Sequence, residues 1–147
     1  MNPVATGDAD ALLVHATTVA FDGRGVLIFG PSGSGKSALG LHLMAWGARL
    51  VSDDQSIVVR RDAALHVHAP AAIFGRIEAR GVGILLADAL TEARLVLAID
   101  LGTRETERLP PERTRDLLGF TVPLLHNSMS SHFPVAIVQY MKAGRSA

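Results

Sequence analysis

A glycine-rich segment beginning at residue 30 carries the residue types that hold phosphate. Its eight residues fit the pattern G-x-x-x-x-G-K-S/T: Gly30, Pro31, Ser32, Gly33, Ser34, Gly35, Lys36 and Ser37. In such a loop the glycines let successive backbone N–H groups face phosphate oxygens, the lysine neutralises the β- and γ-phosphates, and the serine hydroxyl ligates Mg²⁺. The apolar residues 26–29 before it and the helix-forming residues after it supply the strand–loop–helix context that the motif requires. The segment predicts a P-loop that binds a nucleoside triphosphate with Mg²⁺.

Phosphoryl transfer also requires a carboxylate near the metal and a group that takes the acceptor's proton. One candidate is Asp100, which follows the apolar residues 95–99 in the manner common to P-loop proteins. The other candidates are Asp53 and Asp54, which follow residues 50–52. Two adjacent carboxylates repel, so one is readily made a proton acceptor while the other meets the metal. Spacing alone leaves both places open.

The surrounding pattern predicts a single α/β domain with a mixed sheet and more hairpins than a plain doubly wound fold. Asp22-Gly23 predicts a hairpin within residues 11–29, and Arg61-Asp62 predicts a second one. Further elements are a helix over residues 36–46, a strand at 50–51, strands over 84–86, 95–99 and 120–125, and a helix over 134–141. The charged residues 102–116 favour a mobile surface loop. Residues 1–10 are expected to be a disordered tail and residues 11–147 the P-loop domain.

Composition excludes several function classes. The formal net charge is zero and basic residues alternate with acidic ones, which gives no electrostatic case for nucleic acid. The chain contains no cysteine, so thiolate metal sites and cysteine nucleophiles are excluded. No run approaches the roughly 20 apolar residues of a membrane span, and the first ten residues lack a targeting pattern. We expect a cytoplasmic protein.

The order and spacing of several segments resemble the HPr kinase/phosphorylase family, in its short form consisting of the catalytic domain only. The resemblance covers roughly residues 12–119 and includes His15, the P-loop, Asp53-Asp54 and Glu78. Residues 77–84 read Ile-Glu-Ala-Arg-Gly-Val-Gly-Ile, close to that family's signature Glu-x-Arg-Gly-(Leu/Val)-Gly-Ile, which generic P-loop proteins lack. The resemblance favours Asp53-Asp54 over Asp100 as the carboxylates of the site.

The resemblance implies an ATP-dependent serine kinase acting on an HPr-like phosphocarrier of a phosphotransferase system, with phosphorolysis by inorganic phosphate as the reverse reaction. Asp53 would be the acid/base and His15 its neighbour. Ser37 and Asp54 would ligate Mg²⁺ with support from Glu78, and Arg108 would be the mobile-loop arginine that reaches the phosphates. The family forms hexamers of catalytic domains, so a homo-oligomer is expected.

Two other functions stay open from the residues alone. One is a small-molecule P-loop kinase or NTPase, although the chain has neither the Asn-Lys-x-Asp of guanine sites nor a lid with several arginines. The other is a non-catalytic nucleotide-binding signalling module. The family's long form also carries a Pro-Val-x-x-Gly-Arg-Asn motif, and the corresponding residues 126–134 contain no arginine.

Overall fold

The structure, a computed structural model, describes residues 2–3 and 10–147. Most of the disordered tail predicted for residues 1–10 lies outside these described residues. Within that segment, β1 (Asn2–Pro3) pairs antiparallel with β2 (Ala11–Val14). Neither described helix is long and apolar enough to cross a membrane.

The described residues form a mixed sheet of ten strands, a separate two-stranded hairpin and two α-helices, which confirms the predicted fold class. After β1 and β2 the elements are β3 (Ala16–Phe21), β4 (Arg24–Phe29), α1 (Lys36–Ala45), β5 (Arg49–Ser52), β6 (Ser56–Arg61), β7 (Ala64–His68), a 3-10 turn (Ala71–Ile73), β8 (Arg76–Ala79), β9 (Gly83–Leu86), β10 (Ala93–Arg104), β11 (Arg113–Leu117), β12 (Phe120–Asn127) and α2 (Phe133–Ala143).

The strand that leads into the P-loop lies in the middle of the sheet. Strand β4 pairs antiparallel with β3 and parallel with β10, and β10 pairs parallel with β12. Strand β5 is antiparallel to β3 and therefore runs in the direction of β4. Because the carboxyl ends of parallel strands meet at one edge, Ser52, Phe29, Asp100 and His126 end their strand segments at the same side of the sheet, which is where α/β proteins bind ligands.

Two apolar clusters fill the two faces of the sheet. In β4, Val26 and Ile28 belong to the cluster under α1 and α2, whereas Leu27 and Phe29 belong to the cluster on the opposite face. This division explains why residues 26–29 are continuously apolar, since a strand covered on both faces needs apolar residues at every position.

The prediction of a loop over residues 102–116 is wrong at both ends, because strands cover the first and the last of these residues. Strand β10 continues to Arg104, and β11 begins at Arg113 and pairs with β12, so only residues 105–112 connect them. Strand β11 was not predicted because its sequence is polar. Arginine side chains can nevertheless cover apolar surface in a sheet, because their stems are apolar. The Arg115 guanidinium lies 4.5 Å from the centre of the Phe29 ring. Strand β8, just before the predicted strand of β9, was also missed.

Helix α1 lies so close to β3 that only glycine fits at position 40. A Cβ there would lie 2.9 Å from Cγ2 of the fully buried Thr17. Thr17 cannot move away easily, because its hydroxyl donates a hydrogen bond to Asp53. This contact therefore fixes the distance between the helix that follows the P-loop and the strand beside it.

We predict that Gly40→Ala lowers the free energy of unfolding by about 1 kcal/mol, because overpacking costs about 1–3 kcal/mol and the gain in helix propensity returns about 1 kcal/mol. In a Thr17→Ser background, which removes the methyl group and keeps the hydroxyl, Gly40→Ala should instead raise the free energy of unfolding by up to about 1 kcal/mol, because only the gain in helix propensity remains. Urea unfolding of the four proteins in this double-mutant cycle measures the coupling. Equal costs in the two backgrounds would show that Thr17 is not the obstacle.

Candidate functional site

The P-loop has the backbone shape that its sequence predicts. Gly30, Gly33 and Gly35 all have positive φ angles, of 153°, 82° and 98°. A Cβ at Gly30 would lie 2.7 Å from Ser34 Oγ and 3.2 Å from Gly102 N, so glycine is required there for space as well as for backbone shape. The Ser34 hydroxyl is buried and has no hydrogen-bond partner among the described residues. The loop leads directly into α1, whose N-terminal N–H groups suit an anion.

Lys36 folds back over the loop that precedes it. Its side chain is only 7% exposed. Its ammonium group donates to the carbonyl oxygens of Gly30, at 3.0 Å, and Pro31, at 3.2 Å. A positive charge is thus fixed at the mouth of the loop, where phosphate oxygens would replace the two carbonyl oxygens. The residues present fit the phosphate groups of a nucleotide.

Asp53 occupies the centre of the site and joins three elements. Its Oδ1 accepts hydrogen bonds from the hydroxyls of Thr17 in β3, at 2.8 Å, and Ser37 in α1, at 2.6 Å. Its Oδ2 accepts one from the backbone N–H of Glu78 in β8, at 2.9 Å. The residue is 8% exposed, so these donors replace most of the water that a carboxylate would otherwise bind. The structure therefore brings Asp53 and Ser37, both predicted from the sequence, into direct contact.

Sequence reasoning missed Thr17. Its hydroxyl donates to Asp53 and accepts from the backbone N–H of Asp54 at 3.2 Å, so it orients both predicted aspartates. The residue looked like one of several β-branched residues that favour a strand. The available signal was its position two residues after His15 in a strand predicted to pair with the P-loop strand.

The residues predicted to hold the metal lie around this carboxylate. Asp54 is exposed and has a positive φ of 63°, and the exposed Glu78 contributes its backbone to the Asp53 contact. The residues described here contain no group of three or more acidic or histidine side chains that could hold a metal ion. A kinase Mg²⁺ takes one or two protein oxygens, with phosphate oxygens and water completing its shell. The set Ser37, Asp54 and Glu78 therefore stays a prediction.

Asp100 lies at the same edge of the sheet, but its carboxylate accepts hydrogen bonds from residues of its own strand. It is level with Phe29 of β4 and His126 of β12. Its two carboxylate oxygens accept hydrogen bonds from Gly102 N and from the Thr103 hydroxyl, both at 2.8 Å. Asp100 thus shapes the end of β10 beside the P-loop, whereas Asp53 contacts Ser37.

Two other predicted residues lie at the border of the site. His15 is exposed and connects β2 with β3, two residues before Thr17. Arg108 is exposed in the connection formed by residues 105–112 and lines a cavity beside α2. Their catalytic roles stay predictions.

An ion pair holds both ends of the connection that carries Arg108. Nε and Nη2 of Arg113 donate to the two carboxylate oxygens of Glu105, each at 3.0 Å. The bonds from Arg113 lower the pKa of Glu105 to about 2. Glu105 begins the connection and Arg113 directly follows it. The ion pair therefore holds together the two ends of the loop that carries Arg108.

Comparison with known proteins gives consistent matches. The HPr serine kinase C-terminal domain family matches residues 8–124. The HPr kinase/phosphorylase of Verminephrobacter eiseniae is 37% identical over 131 residues, which are 80% of this chain and 41% of the relative. That of Lactococcus lactis subsp. lactis is 46% identical over 91 residues, which are 58% of this chain and 29% of the relative. The chain thus spans less than half the length of these relatives.

A solved structure shares the fold. The Hpr(Ser) kinase/phosphatase from Coxiella burnetii superposes with a TM-score of 0.74 and 26% sequence identity, over 89% of this chain and 88% of that one. This similarity confirms the predicted likeness to the HPr kinase catalytic domain.

We predict that the Glu105 carboxyl titrates near pH 2 in the folded protein. In Arg113→Met its pKa should rise well above 2 toward the ordinary value of about 4.3, with the backbone N–H groups of Thr106 and Glu107 still donating to the carboxylate. Because folding lowers this pKa, the pair contributes stability above about pH 4.3 and loses it as pH falls through about 2. Carboxyl ¹³C shifts followed by NMR measure both values. Arg108→Met removes the same charge from the same connection and should leave Glu105 near 2, and a wild-type value near 4.3 would contradict the pairing.

Proposed function

The chain belongs to the HPr serine kinase C-terminal domain family, and on that premise we propose that it transfers the γ-phosphoryl group of ATP to a serine of an HPr-like phosphocarrier protein. One observation carries the proposal. The Asp53 carboxylate lies 2.6 Å from the P-loop serine hydroxyl and is held there by donors from three elements. A carboxylate fixed beside the phosphate loop is what an in-line phosphoryl transfer to a hydroxyl requires.

Each residue of the site then has a role in the transfer. Asp53 takes the proton of the acceptor serine. In phosphorolysis, inorganic phosphate takes the phosphoryl group from phosphoserine to give pyrophosphate, and Asp53 returns a proton to the serine oxygen. Lys36 and the N–H groups of residues 30–37 offset the charge that spreads over the transferring group. Ser37 and Asp54, with Glu78 at the periphery, would hold Mg²⁺, which would supply positive charge to offset that of the phosphates.

Two residues act from the border of the site. Arg108 reaches the phosphates from its loop, and His15 assists Asp53 from the position just before β3. Both assignments follow the family resemblance. They are supported by the placement of His15 two residues before Thr17 and of Arg108 on the loop that faces α2.

A protein acceptor is supported by the surface beside Asp53. In the β8–β9 hairpin, Glu78 lies opposite Ile84 and Arg76 lies opposite Leu86, so these four side chains share one face. Ile84 is 66% exposed and Leu86 is 87% exposed. An exposed apolar strip is typical of a surface that meets another protein, and this one belongs to the hairpin whose Glu78 N–H holds Asp53. A small-molecule acceptor would not need it.

Location and assembly complete the proposal. An HPr-like acceptor of a phosphotransferase system is a cytoplasmic protein, so the kinase acts in the cytoplasm. The family resemblance implies a homo-oligomer, a hexamer of catalytic domains.

We predict that Asp53→Asn lowers the transfer of labelled γ-phosphate from ATP to a purified HPr-type protein by about 10²–10⁴-fold, because the proton acceptor is lost. Binding of ATP should persist, since Lys36 and the loop remain. The label should be found on serine. Unfolding curves are recorded alongside, because the amide introduced by this substitution would place a donor against the donors of Thr17, Ser37 or Glu78.

Asp100→Asn is the matched control. The amide oxygen can still accept from Gly102 N, so transfer should fall far less than in Asp53→Asn. Equal transfer by folded Asp53→Asn and wild type would remove Asp53 as the base. Transfer to metabolites or nucleotides, with none to HPr-type protein, would favour a small-molecule kinase. Tight ATP binding with neither transfer nor hydrolysis would favour a non-catalytic module.

A further inference from the structure

A cavity of about 240 Å³ lies between α2, the carboxyl end of β12 and the connection formed by residues 105–112. It is much larger than the ~30 Å³ that one water molecule occupies in the liquid. It is also slightly below the range of about 300–1,000 Å³ typical of pockets for whole drug-sized ligands. The volume suits the nucleoside part of a nucleotide better than a complete nucleotide.

The cavity lies at the edge of the sheet that carries the P-loop. His126, one of its lining residues, is level with Asp100, which is level with Phe29, the residue just before the P-loop. With strands about 4.8 Å apart, two strand spacings place His126 about 10 Å from Phe29. A second cavity of the same volume is lined by Arg94, Leu95 and Phe120, at the amino ends of β10 and β12, and therefore faces away from the P-loop.

The two sides of the P-loop along this edge differ in chemistry. Asp53 lies on the β3 and β5 side, where the Glu78 backbone holds it. If the reacting phosphate lies beside Asp53, the opposite end of the triphosphate must leave the loop elsewhere. The cavity opens on the β10 and β12 side, and Arg108 lies in its wall.

The lining matches a flat, mostly apolar ring with polar edges. Ile137 and Leu125 provide apolar surface, Phe133 and Tyr140 provide aromatic rings, and His126 and Ser128 provide hydrogen-bonding groups. Pockets for small ligands combine apolar and aromatic walls with a few such polar groups. Aromatic rings stack on nucleobases, since every base has a π-face.

The wall formed by residues 105–112 is held in place at both ends and in its middle. The Glu105–Arg113 pair closes its ends. Nη2 of Arg145, beyond the end of α2, donates to the carbonyl oxygen of Pro110 at 2.6 Å. The cavity is therefore formed without a ligand, which reduces the ordering cost of binding.

We propose that this cavity binds the nucleoside of the triphosphate whose phosphates lie on residues 30–37. The inference rests on the proposed function and adds the place of the base and ribose, with α2 as the element that selects a nucleotide over bare polyphosphate. Arg108 then lies between the nucleoside and the phosphates.

The test fills the cavity and compares two ligands. Ala136 lies on the exposed side of α2 and lines the cavity, so Ala136→Trp occupies the space without replacing a core residue. Ala143 is exposed on the same helix and Ala143→Trp is the matched control. Binding of ATP and of inorganic tripolyphosphate, which has no nucleoside, is measured by calorimetry for both variants and the wild type.

Ala136→Trp should weaken ATP binding by about tenfold or more and leave tripolyphosphate binding unchanged, whereas Ala143→Trp should change neither. Unchanged ATP binding by Ala136→Trp would overturn the inference and leave the phosphate site intact. Equal weakening of both ligands would overturn it as well, because the effect would not concern the nucleoside. A wild-type protein that binds neither ligand would instead contradict the proposed function itself.

Discussion

The carboxylate of Asp53 is the group on which the rest of the site depends. Thr17, Ser37 and the Glu78 N–H belong to β3, α1 and β8, which are distant in the sequence and meet at this one side chain. A nearly buried carboxylate is tolerated only when hydrogen-bond donors replace its water, so each element must be placed to within a hydrogen-bond length. These hydrogen bonds also place the P-loop residue Ser37 and the β8–β9 hairpin next to the carboxylate.

This constraint divides the edge of the sheet into two parts. On the β3 and β5 side the packing is tight, because Thr17 is confined between Gly40 and Asp53. This side also carries Asp53, the proposed base. On the β10 and β12 side the strands end beside an open cavity whose wall is a loop tied by Glu105, Arg113 and Arg145. A triphosphate laid across the P-loop would then have its reacting end in the rigid part and its nucleoside in the open part.

The features that could be predicted from the sequence are local ones. The P-loop, α1 and the two hairpins follow from residues that are neighbours in the chain, and the structure confirms them. The choice between Asp53 and Asp100 could not be made from spacing, because both follow short apolar strands. It depends on strand order and on donors such as Thr17, which no local pattern marks. The family resemblance made that choice, and the contact with Ser37 supports it. Strand β11 was missed because four of its five residues are polar, and the apolar Phe29 ring that its Arg115 covers belongs to a different strand.

Amide hydrogen exchange in Asp53→Ala tests the central claim, that this carboxylate holds the three elements together, most directly. The Glu78 N–H loses its acceptor in that variant, so its exchange should become about tenfold faster or more. The Ile28 amide within β4 serves as an internal reference for global unfolding, and Asp54→Ala serves as the matched variant that keeps Asp53. The account predicts faster exchange at Glu78 relative to Ile28 in Asp53→Ala alone. Unchanged exchange at Glu78, or an equal rise at Glu78 and Ile28, would contradict it.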